Sequence, residues 1–175
     1  MLKNTHETYG WLAKVFHWVM ALAIVGMFGV AYVMTDMEGP QKSVLYGLHK
    51  SVGVTLLGLL ILRLLWRLAS IRPDLPDTVP GWQRISAHAN ILLLYALMFT
   101  MTISGFFMSY YTWGVNWFGL ITFSASAKNN DLAQTLKEVH EIASYIMIAS
   151  VSLHVVAALY HHFILKDSVL RRIWR

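Results

Sequence analysis

HEIASYIMIASVSLHVVAALYHH, residues 140–162, is the stretch that decides the fold. Its two outer landmarks, His140 and His154, are 14 residues apart. At about 100° per residue, 14 residues return to within roughly 40° of the same helix face, about 21 Å further along the axis. From Ile142 to Leu165 there are twenty-four residues without an Asp, Glu, Lys or Arg. That is enough helix to cross a hydrocarbon core about 30 Å thick. One face of one membrane helix therefore carries two imidazoles at two well-separated depths.

Working outward, three more segments share this character. Val15 to Met34 is twenty residues without a charge, and no charge occurs between Arg84 and Lys128. The segment 46–68 holds Lys50, Arg63 and Arg67 only near its ends, where long basic side chains reach the interface. With 57% hydrophobic and 13% charged residues, the chain is no ordinary soluble domain. Lipid leaves the backbone no hydrogen-bond partner but itself. The expectation is an all-α membrane protein, a bundle of four transmembrane helices at approximately 15–34, 46–68, 85–109 and 139–165, forming one unit over residues 1–175. The first apolar segment is too long for a signal-peptide core and is expected to be retained. RPDLPDTVPGW (72–82) reads as a short connection, and Tyr110 to Glu138 as the one sizeable extramembrane loop.

Basic residues set the orientation. Ten of them (Lys3, Lys14, Arg63, Arg67, Arg72, Arg84, Lys166, Arg171, Arg172 and Arg175) fall on the side of the two termini, and four (Lys42, Lys50, Lys128 and Lys137) on the other. The positive-inside rule then places both termini in the cytoplasm. All seven tryptophans lie at or beyond expected helix ends, as an interfacial aromatic belt requires. The absence of cysteine excludes disulfides, thiolate-bound haem and cysteine-held iron–sulfur clusters. Membrane orientation accounts for the net charge of +5, so no nucleic-acid partner is expected.

With helices alternating in direction, His17 opens helix 1 at the inner side and His49 opens helix 2 at the outer side. His140 begins helix 4 outside, and His154 lies in its inner half. Depth pairs His17 with His154 and His49 with His140. Each pair suits bis-histidine ligation of a haem iron between bundle helices, so two haem b groups are expected, with these four residues as axial ligands. Iron so held has no vacant position, which favours electron transfer over oxygen binding. Arg63, 14 residues after His49, repeats its face at the opposite depth, where it pairs with a haem propionate or snorkels to lipid phosphate. Lys50 is the equivalent candidate at the outer haem. Gly53 leaves a flat gap for a porphyrin or for helix packing. His161, seven residues after His154 on nearly the same face, contacts a propionate or a quinone or sits at the interface. His88, on helix 3, competes with His17 or hydrogen-bonds a quinone carbonyl.

The stretches VFHWVMALA (15–23), LHKSVGVTLLGLLILRLLWRL (48–68), WQRISAHANILLLYALM (82–98), NWFGL (116–120), LKEVHE (136–141) and LHVVAALYHHFILKDSVLRR (153–172) resemble the bacterial cytochrome b-561 family over essentially the whole chain. The resemblance implies a four-helix, di-haem b-type cytochrome of the inner membrane that exchanges electrons with quinone. It also implies His17, His49, His140 and His154 as ligands and, for some relatives, superoxide oxidation at the outer face with ubiquinone reduction. Two positions depart from the family pattern. Ile91 stands where many relatives have a helix-3 histidine, and Thr102 where relatives often have a proline.

Three functions compete at this point. The first is a superoxide:ubiquinone oxidoreductase, with Lys42, Lys50, Lys128 and Lys137 steering the anion past Trp113, Trp117 and Phe118. The second is a cytochrome b anchor subunit passing electrons for a dehydrogenase or hydrogenase partner. The third is a histidine-lined metal-ion transporter without haem.

Overall fold

The computed structural model describes residues 1–76 and 79–174. Asp77 and Thr78 of the 72–82 connection, and Arg175 of the basic C-terminal flank, lie outside the described residues. Four long helices dominate: α1 (Trp11–Asp36), α2 (Pro40–Ala69), α3 (Gly81–Tyr110) and α4 (Asn130–Tyr160). All four are long and apolar enough to cross a membrane, the last continuing through a π-helical turn at His161–Leu165. A short α5 (Arg171–Trp174) follows. Among the described residues the remaining regular structure is one antiparallel hairpin, β1 (Val115–Trp117) with β2 (Ile121–Phe123).

The helices begin earlier than hydropathy alone indicates. Pro40 opens α2, where its missing N–H costs nothing and its fixed φ suits a first turn. Asn129 caps α4 by accepting from the Leu132 N–H at 3.0 Å, and Asp131 occupies the first turn. Much of the expected 110–138 loop is therefore hairpin and helix. α3 runs unbroken past Thr102, whose hydroxyl donates to the Met98 carbonyl at 2.8 Å.

Both termini meet at one end, the terminal end. There the Tyr9 N–H donates to the Arg172 carbonyl at 3.4 Å and the Asn4 amide to the Ile71 carbonyl at 2.8 Å. The Trp18 indole donates to the Ile173 carbonyl at 3.1 Å. At the opposite, hairpin end, the hairpin lies along α2. Ser51 Oγ donates to the Asn116 carbonyl and accepts from the Phe118 N–H, both at 3.1 Å, and the Trp117 indole donates to Thr55 Oγ1 at 3.1 Å. Phe118 and Gly119 both take positive φ in the tight turn between the strands.

α4 packs along α3, α1 along α2, and α2 against α3, while α4 runs close to neither α1 nor α2 over any length. Midway along the bundle a layer of buried apolar side chains closes the interior: Met20, Leu56, Leu60, Leu97, Met98, Ala143 and Met147. Met147 lies seven residues from both His140 and His154, so this layer separates the two histidine levels.

Candidate functional site: two histidine pairs between helices

At the terminal end, α1 presents His17 and α4 presents His154, with ring centroids 6.2 Å apart and planes at 52°. At the hairpin end, α2 presents His49 and α4 presents His140, with centroids 6.5 Å apart and planes at 72°. These rings join helices whose backbones otherwise stay apart, so each pair faces across an interhelical space.

The surroundings of the pairs differ. Ser104 Oγ donates to the Thr100 carbonyl at 2.5 Å and lies 3.1 Å from His140 Nδ1. A serine has one proton, so here Oγ accepts from Nδ1–H and His140 keeps its Nε2 lone pair free. The approach of α3 is close: a Cβ on Gly105 would stand 2.9 Å from His140 Cε1. Across the pair, His49 Nδ1 is buried without a hydrogen-bond partner among the described residues, a state that native interiors rarely leave unfilled.

The terminal-end pair is cationic. Arg63 Nη2 lies 3.1 Å from His17 Nδ1, and Nη1 lies 3.9 Å from Met20 Sδ. The guanidiniums of Arg63 and Arg67 stand 5.8 and 5.6 Å from the centre of the Tyr95 ring, within cation–π range. Tyr95 Oη is buried, and among the described residues neither arginine forms a salt bridge. Two guanidiniums converging without a carboxylate suit an anionic ligand. Arg67 and Tyr95 were not singled out in the sequence for this role. The spacing of Arg67, four residues after Arg63, is the signal that places both on one helix face.

Other candidates are placed as follows. Lys50 Nζ donates to the Gly114 carbonyl at 3.3 Å and so ties α2 to the loop before β1. Gly53 leaves room, with only Met27 Cε at 3.9 Å from a would-be Cβ, and Gly26, Met27, His49 and Val52 help line an apolar groove of about 220 Å³ nearby. His88 is exposed on α3, its Nδ1 2.7 Å from the Arg84 carbonyl one turn back. The structure brings it to neither pair. His161 joins Asp167 at 2.5 Å. Trp113 and Phe118 are exposed, but Trp117 turns inward to Thr55 and does not contribute to an open aromatic wall. Among the described residues no three His, Cys, Asp or Glu gather as a closed metal-ion site would need; His17, His154, His49 and His140 stand in two pairs.

Fold and site together define a class: a helical membrane protein whose interior is organised around paired histidines from neighbouring helices. Residues 8–175 match the family model described as prokaryotic cytochrome b561, and the chain belongs to that family. It is 33% identical to cytochrome b561 homolog 2 of Escherichia coli (strain K12), over 97% of this chain and 92% of that protein. It is 30% identical to the probable superoxide oxidase CybB of Yersinia pestis, over 95% and 96%. Cytochrome b561 homolog 1 of Escherichia coli (strain K12) is 26% identical over 89% and 90%.

Members of this family are membrane cytochromes that bind b-type haem, and the residues present fit such a group. A metal held by two opposed imidazole nitrogens at about 2.0–2.1 Å, each roughly 1.2 Å from its ring centre, sets the centroids about 6.4 Å apart. The two observed separations, 6.2 and 6.5 Å, lie on either side of that value.

Proposed function

We propose that this protein is a di-haem b-type cytochrome of the bacterial inner membrane, passing electrons between superoxide at one face and ubiquinone at the other. His17 and His154 would hold one haem, and His49 and His140 the second. The observation that carries this reading is the two imidazole couples, each joining α4 to a second helix, with ring centres 6.2 and 6.5 Å apart. Haem so bound would supply one-electron redox chemistry. Arg63 and Arg67 offer charge-assisted hydrogen bonds to propionates at the terminal end, and Gly53 leaves open space on α2 beside His49.

The terminal end faces the cytoplasm in this reading, in keeping with the ten-to-four distribution of basic residues. His161 lies seven residues beyond His154 on nearly the same face, about 10 Å nearer that end, and is the residue we assign to a quinone carbonyl. The name of the Yersinia relative, probable superoxide oxidase, supports the choice of donor. The lysines of the hairpin end, Lys42, Lys128 and Lys137, with Lys50 behind them, give that face the positive charge an anion would approach.

The test is made on the isolated chain: haem-to-protein ratio, a reduced-minus-oxidised spectrum, and reduction of a short-chain ubiquinone on addition of superoxide. Two haems and quinone reduction without any partner are expected. Two haems with no reaction toward superoxide would favour the second reading, an electron-transfer anchor for a dehydrogenase or hydrogenase.

A further inference from the structure

We propose that Asp167 is a positioning residue that orients His161 as a proton donor to quinone, an assignment resting on the quinone reading above. The sequence HHFILKD, residues 161–167, leaves α4 through a π-helical turn, and Lys166 then takes a left-handed φ of 53°. π turns inside helices recur at functional sites. The reversal folds the chain back on itself, with the Asp167 N–H donating to the His161 carbonyl at 3.2 Å. It brings Asp167 Oδ2 to 2.5 Å from His161 Nδ1, with the side chains 11% and 13% exposed. The second oxygen, Oδ1, accepts from the Val169 N–H at 2.9 Å, so the carboxylate is fixed at both ends.

A carboxylate on Nδ1 orients an imidazole. His161 Nε2 makes no hydrogen bond among the described residues. In the imidazolium both nitrogens donate, Nδ1–H to Asp167 and Nε2–H to a carbonyl oxygen of the quinone. Reduction of a quinone to quinol takes two protons and two electrons, which bound haem would pass on one at a time from two superoxide anions, each released as dioxygen. One of the two protons is that on Nε2: that N–H bond breaks as the quinol O–H bond forms, and the ring stays neutral with Nδ1–H on Asp167. Water at the terminal end supplies the second proton and recharges the ring.

The experiment uses the haem-loaded full chain and a short-chain ubiquinone, comparing Asp167→Asn, Asp167→Glu and His161→Ala. Asparagine keeps an oxygen for the Val169 N–H, and the haem spectrum reports whether each variant is folded. For Asp167→Asn, kcat is expected to fall about tenfold or more with KM changed by less than about twofold, and a solvent deuterium isotope effect on kcat should emerge. Asp167→Glu should recover much of the rate. Parent-like kcat in Asp167→Asn with a large loss in His161→Ala would overturn the role of Asp167 and leave the quinone site standing. Parent-like rates in both would overturn the quinone site and this proposal together. A loss in KM alone, equal in the Asn and Glu variants and without an isotope effect, would reduce Asp167 to a structural brace and overturn the proposal.

Discussion

The Arg63 guanidinium donates to Nδ1 of His17 at 3.1 Å. Arginine has no acceptor to offer, so the imidazole lone pair at Nδ1 is engaged and a neutral ring carries its proton on Nε2. Neither nitrogen is then open to a metal. Ligation by His17 therefore requires Arg63 to release Nδ1 and turn, beside Arg67, toward an anion. Arg63→Leu is expected to keep both irons and to lower the potential of the haem at the His17–His154 pair, because loss of a cation disfavours the reduced state. For one electron, about 59 mV corresponds to a tenfold change in equilibrium. A redox titration with no shift at either haem would assign Arg63 to lipid phosphate instead.

The two levels on α4 should be separable by mutation. His140→Ala is expected to remove mainly the haem at the hairpin end and His154→Ala mainly that at the terminal end, each leaving about one haem per chain by pyridine haemochrome assay. Equal loss of both from each folded variant would contradict the pairing.

Gly105 and Gly58 make a matched test of packing. An alanine at 105 brings a methyl against the His140 ring, with α3 and α4 already in close contact. Overpacking of this kind costs about 1–3 kcal/mol, and haem at the hairpin end should be lost or its spectrum perturbed. At Gly58 no atom lies within 4 Å of a would-be Cβ, so Gly58→Ala is expected to leave haem content and thermal stability at least at the parent level. Thermal loss of the haem band, measured for both variants, checks the contrast.

Steering of superoxide is read from salt. Electrostatic funnels raise association rates by about 10- to 1,000-fold and weaken as ions screen them. Reduction of the hairpin-end haem by superoxide should be fast at low ionic strength and slow as salt rises. Lys50→Gln with Lys137→Gln should flatten that dependence and leave quinone-side kinetics unchanged. Stopped-flow traces indifferent to salt in both proteins would defeat the idea.

How far these features were legible in the sequence depends on what sets each one. The fall of His140 and His154 on one face is helix arithmetic, and the charge-free runs needed only counting. The contact of Ser104 with His140 depends on the rotation of α3 against α4, which no local pattern encodes. The hairpin follows from backbone freedom at Gly119 and from Ser51 and Thr55 offering hydroxyls on one face of α2, a tertiary match between segments far apart in the chain. The early start of α4 was hidden because its first turns are polar. The signal there was Asn129 followed by Asp131, a cap and not a hydrophobic pattern. Asp167 lies six residues from His161, a separation that an uninterrupted helix would not bring into hydrogen-bond contact; the π turn and the left-handed Lys166 do so.

The apolar layer around Leu60 and Met147 has an electrical consequence. It is the insulating part of the bundle, so much of any transmembrane voltage falls between the level of His140 and that of His154. Those levels are about 21 Å apart along α4 within a core about 30 Å thick, roughly 0.7 of the dielectric. A charge crossing the whole membrane changes in energy by about 2.3 kcal/mol per 100 mV. An electron moved between the two histidine levels would thus gain or lose about 1.6 kcal/mol per 100 mV, more than a tenfold change in its distribution. Energisation of the membrane would itself set which end of the bundle holds the electron.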